Sequence, residues 1–527
     1  MANADYSVVG CPMNRSKALS FLPVLLLAAL SGSSCSSTNS TLACFGGNCT
    51  VVGGGGTATV SLTLVADTLP PNPSILSFKV SIGSIALTPA SGTAQTFTPT
   101  SPIVVDLMRL QSDTVFLGTL TKVPSGSYTV QVSLSSPEIT FLNDTSSTIT
   151  ANGVACLTNA VCTASFTAVG TPTISSFTFN ATSSGQQGIE LDFNLKNAIS
   201  LSSGTLSVNF NPSSPNPGVF TAFTLPRMNA NLGTNQLELI EDFTGVVTVS
   251  GSAVTITSPT RGTLIATSTS NSFFDHSPDG ATCPTPSTIT CVKAGQIASV
   301  DAFLKSDGTL ELKEFEPLNA TQQDFVEGTV FAVNTPTQFS IAVTDKVPAA
   351  TNSLIGGLNT GDRLTVNIPA ATLKPFLVDS KGLAVPAGSI GLFQGQTDTS
   401  AIHPGQTLTV HVTTFVAAIG NTIAAATADT VTLRWSRLIA SLTGATSNTL
   451  LNVNAVPSYF RLTSASVFPT QVFSGTLGAQ GVTNLDGIPN GAGSVNTALP
   501  VGLRVLYLEN STNSAPLPFQ AAKIRQH

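Results

Sequence analysis

Ile189-Glu190-Leu191-Asp192-Phe193-Asn194-Leu195 sets four large apolar side chains at every second position, with an acid or an amide between each pair. Side chains that alternate at period two stand on opposite faces of a strand, so the stretch predicts a strand with one buried face and one wet face. The same alternation recurs outward in both directions. Phe78, Val80 and Ile82 alternate with Lys79, Ser81 and Gly83, and Val130, Val132 and Leu134 with Gln131 and Ser133. Further along, Leu206-Ser207-Val208, Leu364-Thr365-Val366, Leu408-Thr409-Val410 and Leu503-Arg504-Val505 repeat it, with turn residues between them at Pro124-Ser125-Gly126, Asp307-Gly308 and Asn359-Thr360-Gly361. Short strands punctuated in this way build sandwiches and barrels, so the fold class is all-β.

Composition agrees. The 527 residues are enough for several domains, and hydrophobic residues make up 42% of them against 9% charged. Thr, Val and Ser outnumber the strong helix formers, which favours strands. A formal net charge of −6, read as spread thinly along the chain, offers no basic face and argues against a nucleic-acid partner.

The first fifty residues read as an address. Arg15 and Lys17 precede an apolar run from Ala18 to Leu30, followed by Ser31-Gly32-Ser33-Ser34-Cys35. A basic n-region, a short apolar h-region and small residues make a secretory signal over residues 1–35, too short to remain as a spanning helix. Met13-Asn14-Arg15-Ser16-Lys17 is already a normal n-region, which makes Met13 the expected start. Cys35 resembles the lipidation site of a bacterial lipoprotein, although two serines separate it from Leu30-Ser31-Gly32. The alternative is ordinary cleavage near Ser31 or Ser34. Either way the protein is expected to be exported, to the outer membrane as a lipoprotein, the cell surface or the periplasm, with a lipid anchor as its membrane partner.

Cysteine spacing points to the same compartment. Cys11 and Cys35 belong to the leader, and the other six fall as close pairs: Cys44 with Cys49, Cys156 with Cys162, and Cys283 with Cys291. Local disulfides in an oxidising compartment are expected. The spacings are not those of a zinc site, and no metal or cofactor is expected.

Composition shifts divide the remainder. Residues 36–56 form a Ser/Thr/Gly-rich tether ending in Gly53-Gly54-Gly55-Gly56. Residues 57–169 carry Leu62-Thr63-Leu64, paired strands near Phe78–Leu87, Asp106-Leu107 and a closing Pro124-Ser125-Gly126-Ser127-Tyr128. This pattern resembles a domain of unknown function found in bacterial surface lipoproteins, though an Asp usual after Leu-Thr is replaced here by Leu64. The resemblance implies an exported lipoprotein and brings no catalytic residues. Physically, the Tyr128 strand looks like the last strand of a prealbumin-like sandwich, its ring at a core edge and its hydroxyl on a backbone partner. Residues 170–238 connect to the next domain or extend the sandwich.

The second half is repetitive. Glu241-Asp242-Phe243-Thr244-Gly245-Val246 recurs as Gln323-Asp324-Phe325-Val326-Glu327-Gly328-Thr329-Val330, aligning Asp242 with Asp324, and more faintly at Arg437-Leu438-Ile439-Ala440. Three β repeats are expected over 239–320, 321–435 and 436–527. They resemble small β-barrel-like domains of unknown function common in bacterial exported proteins.

No motif for chemistry assembles. There is no H-E-x-x-H and no G-x-S-x-G elbow among the four histidines and the serines. The acids Glu238, Glu241 and Asp242, and the trio Glu311, Glu314 and Glu316, could be glycosidase carboxylates. At alternating strand positions they are read instead as solvated faces. Asn484, Asp486 and Asn490 around Gly487 lack a calcium register and are read as a surface turn, and the Gly-rich stretch 478–493 as a linker. Trp435, the single tryptophan, is expected to seal a domain junction. These observations predict a non-enzymatic envelope protein with a structural or binding role, adhesion or scaffolding, toward an envelope or extracellular polymer or protein. The alternative is a carbohydrate-binding or carbohydrate-processing surface protein.

Overall fold

The computed structural model describes residues 41–45, 48–52 and 57–526, apart from 68–72, 168–170, 181–186, 212–217, 228, 230–231, 279–287, 421, 444–445, 461–466, 476–479 and 509–516. The leader with Cys11 and Cys35, and Cys283, lie outside the described residues. Two units separate, one ending at Val52 and one running from Gly53 to the C-terminus. In the first, Thr41–Phe45 and Asn48–Val52 pair as an antiparallel hairpin whose register places Cys44 opposite Cys49.

The second unit opens with a sandwich. One sheet is built on the long strands Ser74–Pro89 and Gly126–Leu142, paired antiparallel along most of their length. The other runs in the order Phe220–Leu225, Gln187–Asn194, Thr57–Asp67, Val115–Pro124. Phe78 of the first sheet and Phe193 of the second meet edge to face at 6.1 Å in the core between them. The Tyr128 strand is not the last one, as the sequence suggested. It lies inside its sheet, flanked by Ser74–Pro89 and, on its other side, by Val161–Ser165 and Thr173–Phe179, while Gln187–Asn194 and Phe220–Leu225 complete the opposite sheet. The Tyr128 hydroxyl donates to the Pro124 carbonyl at 2.6 Å. Cys156 and Cys162 form a disulfide; Cys291 is also disulfide-bonded.

The strand that decides the fold class departs from the simple alternation. Gln187–Asn194 runs parallel to Thr57–Asp67 on one side and antiparallel to Phe220–Leu225 on the other. Its Glu190 and Asp192 are buried, and Arg227 pairs with them at 2.7 and 3.6 Å. Both faces of this strand are covered.

Three closed barrels of one topology follow. The first uses Gln236–Ser250, Ala253–Ser258, Gly262–Thr267, Ile297–Lys305 and Leu310–Asn319. The second uses Phe325–Thr335, Gln338–Val347, Arg363–Asn367, Thr407–Val416 and Ala424–Arg434. The third uses Ser436–Leu442, Leu450–Asn454, Phe468–Val472, Val501–Tyr507 and Phe519–Arg525. In each, the strands close in the order 1-2-3-5-4-1, every pair antiparallel except the third with the fifth. This is the order of an OB-type barrel, and closure removes the exposed edges of an open sheet. A short sixth strand, Phe273–Phe274, Leu377–Val378 or Asn484–Asp486, adds to the fifth strand of its barrel.

The barrels realign the repeat. Gly245 and Gly328 occupy equivalent places on the two first strands, because a Cβ there would stand 2.3 Å from the Thr257 carbonyl oxygen and 2.6 Å from that of Ala342. Asp242 is therefore not the counterpart of Asp324. It sits at a bulge with φ of 46°, whereas Asp324 holds the following loop through the Ala349 and Leu354 amides and the Ser353 hydroxyl. No linker separates the second and third barrels: Arg434 ends one, Ser436 begins the other, and Trp435 between them is fully buried in a core shared with Leu506, Leu508 and Ala522.

Candidate functional site

The charged residues of this chain are not spread thinly. Among the described residues, eight cations and ten carboxylates, out of 21 Lys and Arg and 27 Asp and Glu in the whole sequence, join one ion-pair network between the sandwich and the three barrels. Each first strand contributes members: Glu241 and Asp242 from the first, Glu327 from the second and Arg437 from the third. Arg437 donates to Asp242 and lies 3.3 Å from Glu327, so one guanidinium of the third barrel bridges an acid of each of the other two.

Asp242 is the centre. It is 0% exposed and is paired with Arg437, Arg504, Arg434 at 3.4 Å and Lys381 at 3.8 Å. Burial opposes its ionisation, but the guanidiniums of Arg504 and Arg437 outweigh that and hold its carboxyl well below the usual range. The left-handed backbone at the bulge turns this side chain into the junction. The backbone carbonyl of Asp242 accepts from Arg261, which also reaches Asp345 at 2.7 Å.

The sandwich enters through one turn. Asp106 accepts from the amides of Phe78 and Met108, which fixes the short 3-10 turn Arg109–Gln111. Arg109 then pairs with Glu327 at 2.9 Å and Asp345 at 3.3 Å, and Asp113 accepts from Arg437 at 2.9 Å. On the far side, Lys523 lies 2.5 Å from Glu241 and 3.3 Å from Asp486, and Arg525 lies 2.6 Å from Asp486.

Several acids carry less compensation. Burial pushes Glu316 up to about 7, with the charge of Asp379 adding to it against Lys381 and Arg434. Burial raises Glu314 well above the ordinary range, reinforced by Glu316 and Asp301, and raises Glu238 likewise, with Asp486 and Glu190 beside it.

These positions correct the sequence reading. Glu238, Glu241, Asp242, Glu314 and Glu316 are buried rather than on solvated faces; of the two acid groups only Glu311 stays partly exposed, paired with Lys305 at 2.8 Å. Asp486 and Asn484 lie on the buried strand Asn484–Asp486, not on a surface turn, so the 478–493 stretch is no simple linker, and only Asn490 of that trio is exposed. A strand face is wet only when nothing packs on it, and the neighbouring barrels cover these. One signal was available: in a chain so poor in charge, ionisable residues recur on the opening strands of all three repeats, acidic in the first two and basic in the third.

Among the described residues the hub adjoins no substrate-sized space. The adjoining cavity is about 20 Å³, lined by Asp106, Arg109, Asp113, Glu241, Arg261 and Asp345, room for about one water. A larger groove of about 610 Å³ lies elsewhere, lined by Val154, Ala155 and Thr163 from the region before the barrels and by Phe415, Ala418 and Ile423 of the second barrel. Among the described residues no cluster of His, Cys, Asp and Glu could hold a metal ion, and no helix is long and apolar enough to cross a membrane. Among known proteins, no family model, no curated protein and no solved structure matches this chain.

Proposed function

We propose that this is an exported, lipid-anchored protein of the bacterial cell envelope whose role is structural: a rigid scaffold or adhesive body joined to its anchor through the Ser/Thr/Gly-rich segment 36–56. The observation that carries the reading is the placement of the ion-pair network, which uses the chain's charges to lock four domains together and leaves none of those acids open to a substrate. The leader, Cys35 and the Gly53–Gly56 tether support the anchoring part, and the paired cysteines support an oxidising exterior. Mass spectrometry of the mature N-terminus, with membrane fractionation of the wild type and of Cys35→Ser, tests it. An acylated Cys35 at the new N-terminus and release of C35S from the membrane fraction are expected; a cytoplasmic protein that retains residues 1–34 would overturn the reading.

A second reading, carbohydrate binding, is favoured by the groove of about 610 Å³, which carries Phe415 beside Thr163, Thr422, Asp362 and Arg363. A glycan array on the exported protein and on Phe415→Ala tests that reading: binding lost in F415A supports it, and no binding by the wild type removes it.

A further inference from the structure

The second barrel docks onto the first through one loop. After Leu377–Val378 the chain turns through Asp379, Ser380, Lys381 and Gly382, with Lys381 at φ of 49°. The Ser380 amide donates to the Ser277 hydroxyl at 3.0 Å and the Gly382 amide to Asp275 at 3.0 Å, both on the first barrel. Lys381 then inserts its ammonium among four carboxylates of that barrel: it contacts Glu316, Asp301 at 3.1 Å, Glu314 at 3.5 Å and Asp242 at 3.8 Å.

One ammonium has three donors and a single charge, so it cannot balance four buried carboxylates. Asp242 and Asp301 have the guanidinium of Arg504 as well, and Glu316 has Arg434 at 3.1 Å, which it shares with Asp379 at 2.5 Å. Glu314 has Lys381 as its only close cation among the described residues, with Lys313 acting from farther away. It stands directly opposite Asp301 across the antiparallel pair, and its Oε1 is buried without a hydrogen-bond partner. Asp275 adds a further negative charge facing Glu316. Like charges opposed in a sheet, out of water, hold a proton rather than remain ionised. Among the described residues the ten carboxylates of the network exceed its eight cations by two, the number of protons that would make it neutral.

We propose that Glu314, Glu316 and Lys381 form a proton-held latch between the first and second barrels, closed while the two glutamates keep their protons and loosened as the pH rises through neutrality. A protein exported into a mildly acidic medium would be rigid there and would free the 379–382 loop in neutral or alkaline surroundings.

Amide hydrogen exchange on the full-length protein tests this, with rates corrected for the intrinsic pH dependence of exchange. A proton held at about 7 when closed and at 4.5 when open makes opening about 30-fold more favourable at pH 8.5 than at pH 5.5 from Glu316 alone. Corrected exchange at residues 379–383 is therefore expected to rise about 30-fold or more, with the strand Gln338–Val347 of the second barrel unchanged. In Glu316→Gln, which keeps a neutral side chain at every pH, the rise is expected to shrink by about the 30-fold that Glu316 supplies, leaving only the part due to Glu314. A wild-type loop whose corrected exchange changes less than about 3-fold would overturn the proposal. So would an equal change in Gln338–Val347, or an E316Q dependence equal to the wild type. If E316Q fails to fold, the wild-type comparison of loop and strand decides alone.

Discussion

Arg437, near the start of the third barrel, donates to the carboxylate of Asp242, on the bulge of the first barrel's opening strand, across 195 positions of sequence. That bond spans the second barrel and ties the C-terminal domain to the front of the array. Removing the charge of Asp242 leaves four buried cations around a neutral group. Asn tolerates the same left-handed backbone, so Asp242→Asn isolates the electrostatic term. It is expected to cost about 3–5 kcal/mol in urea unfolding, followed by the fluorescence of the single, fully buried Trp435.

Two groups of acids set the pH dependence, with opposite signs. Glu238, Glu314 and Glu316 are raised by burial, so the native state binds their protons more tightly than the unfolded chain. Their contribution is complete below about 4.5 and is lost as the pH rises through about 7 at Glu316. Asp242, Asp301 and Glu327 are lowered by their cations in spite of burial, and their contribution is lost as the pH falls below the ordinary carboxylate range. The melting temperature is expected to peak near pH 5 to 6 and to fall on both sides. A monotonic rise to pH 8 in thermal scans would contradict this assignment.

Gly328 faces the backbone of the neighbouring strand so closely that a methyl group meets the Ala342 carbonyl oxygen at 2.6 Å. That oxygen is backbone and cannot swing aside as a side-chain end could, so Gly328→Ala must push two paired strands apart. A loss of about 1–3 kcal/mol is expected, measured by chemical denaturation, and Gly245→Ala should behave alike.

Tyr128→Phe removes one hydroxyl and leaves the Pro124 carbonyl without that donor, while the ring still fills its place in the sandwich. The expected loss is about 1 kcal/mol in the same assay.

The class of the fold was open to reading because period-two alternation is a local property. Phe78 to Ile82 and Leu364 to Ile368 needed only their own neighbours to reveal a strand. The short apolar units were legible for the same reason. What stayed hidden depended on contacts between distant residues. Glu190 and Asp192 look wet in isolation and are covered because Arg227 and two flanking strands lie against them. Glu241 and Asp242 look like a surface pair until Lys523 and Arg504, more than 250 positions away, close over them. The alignment of Asp242 with Asp324 followed residue identity, whereas the barrels are registered by Gly245 and Gly328, where backbone contact leaves no choice of side chain.

The inward placement of charge also determines how the outside behaves. With so many of its ionisable groups sealed inside, the body meets water largely through hydroxyl side chains such as Thr257, Thr263, Thr413 and Thr414, interrupted by single apolar residues such as Ile265 and Val416. Such an exterior has little field for dissolved salt to screen. Its wetting should vary little from fresh water to brine, a tolerance that comes from the arrangement of the interior rather than from a specialised coat.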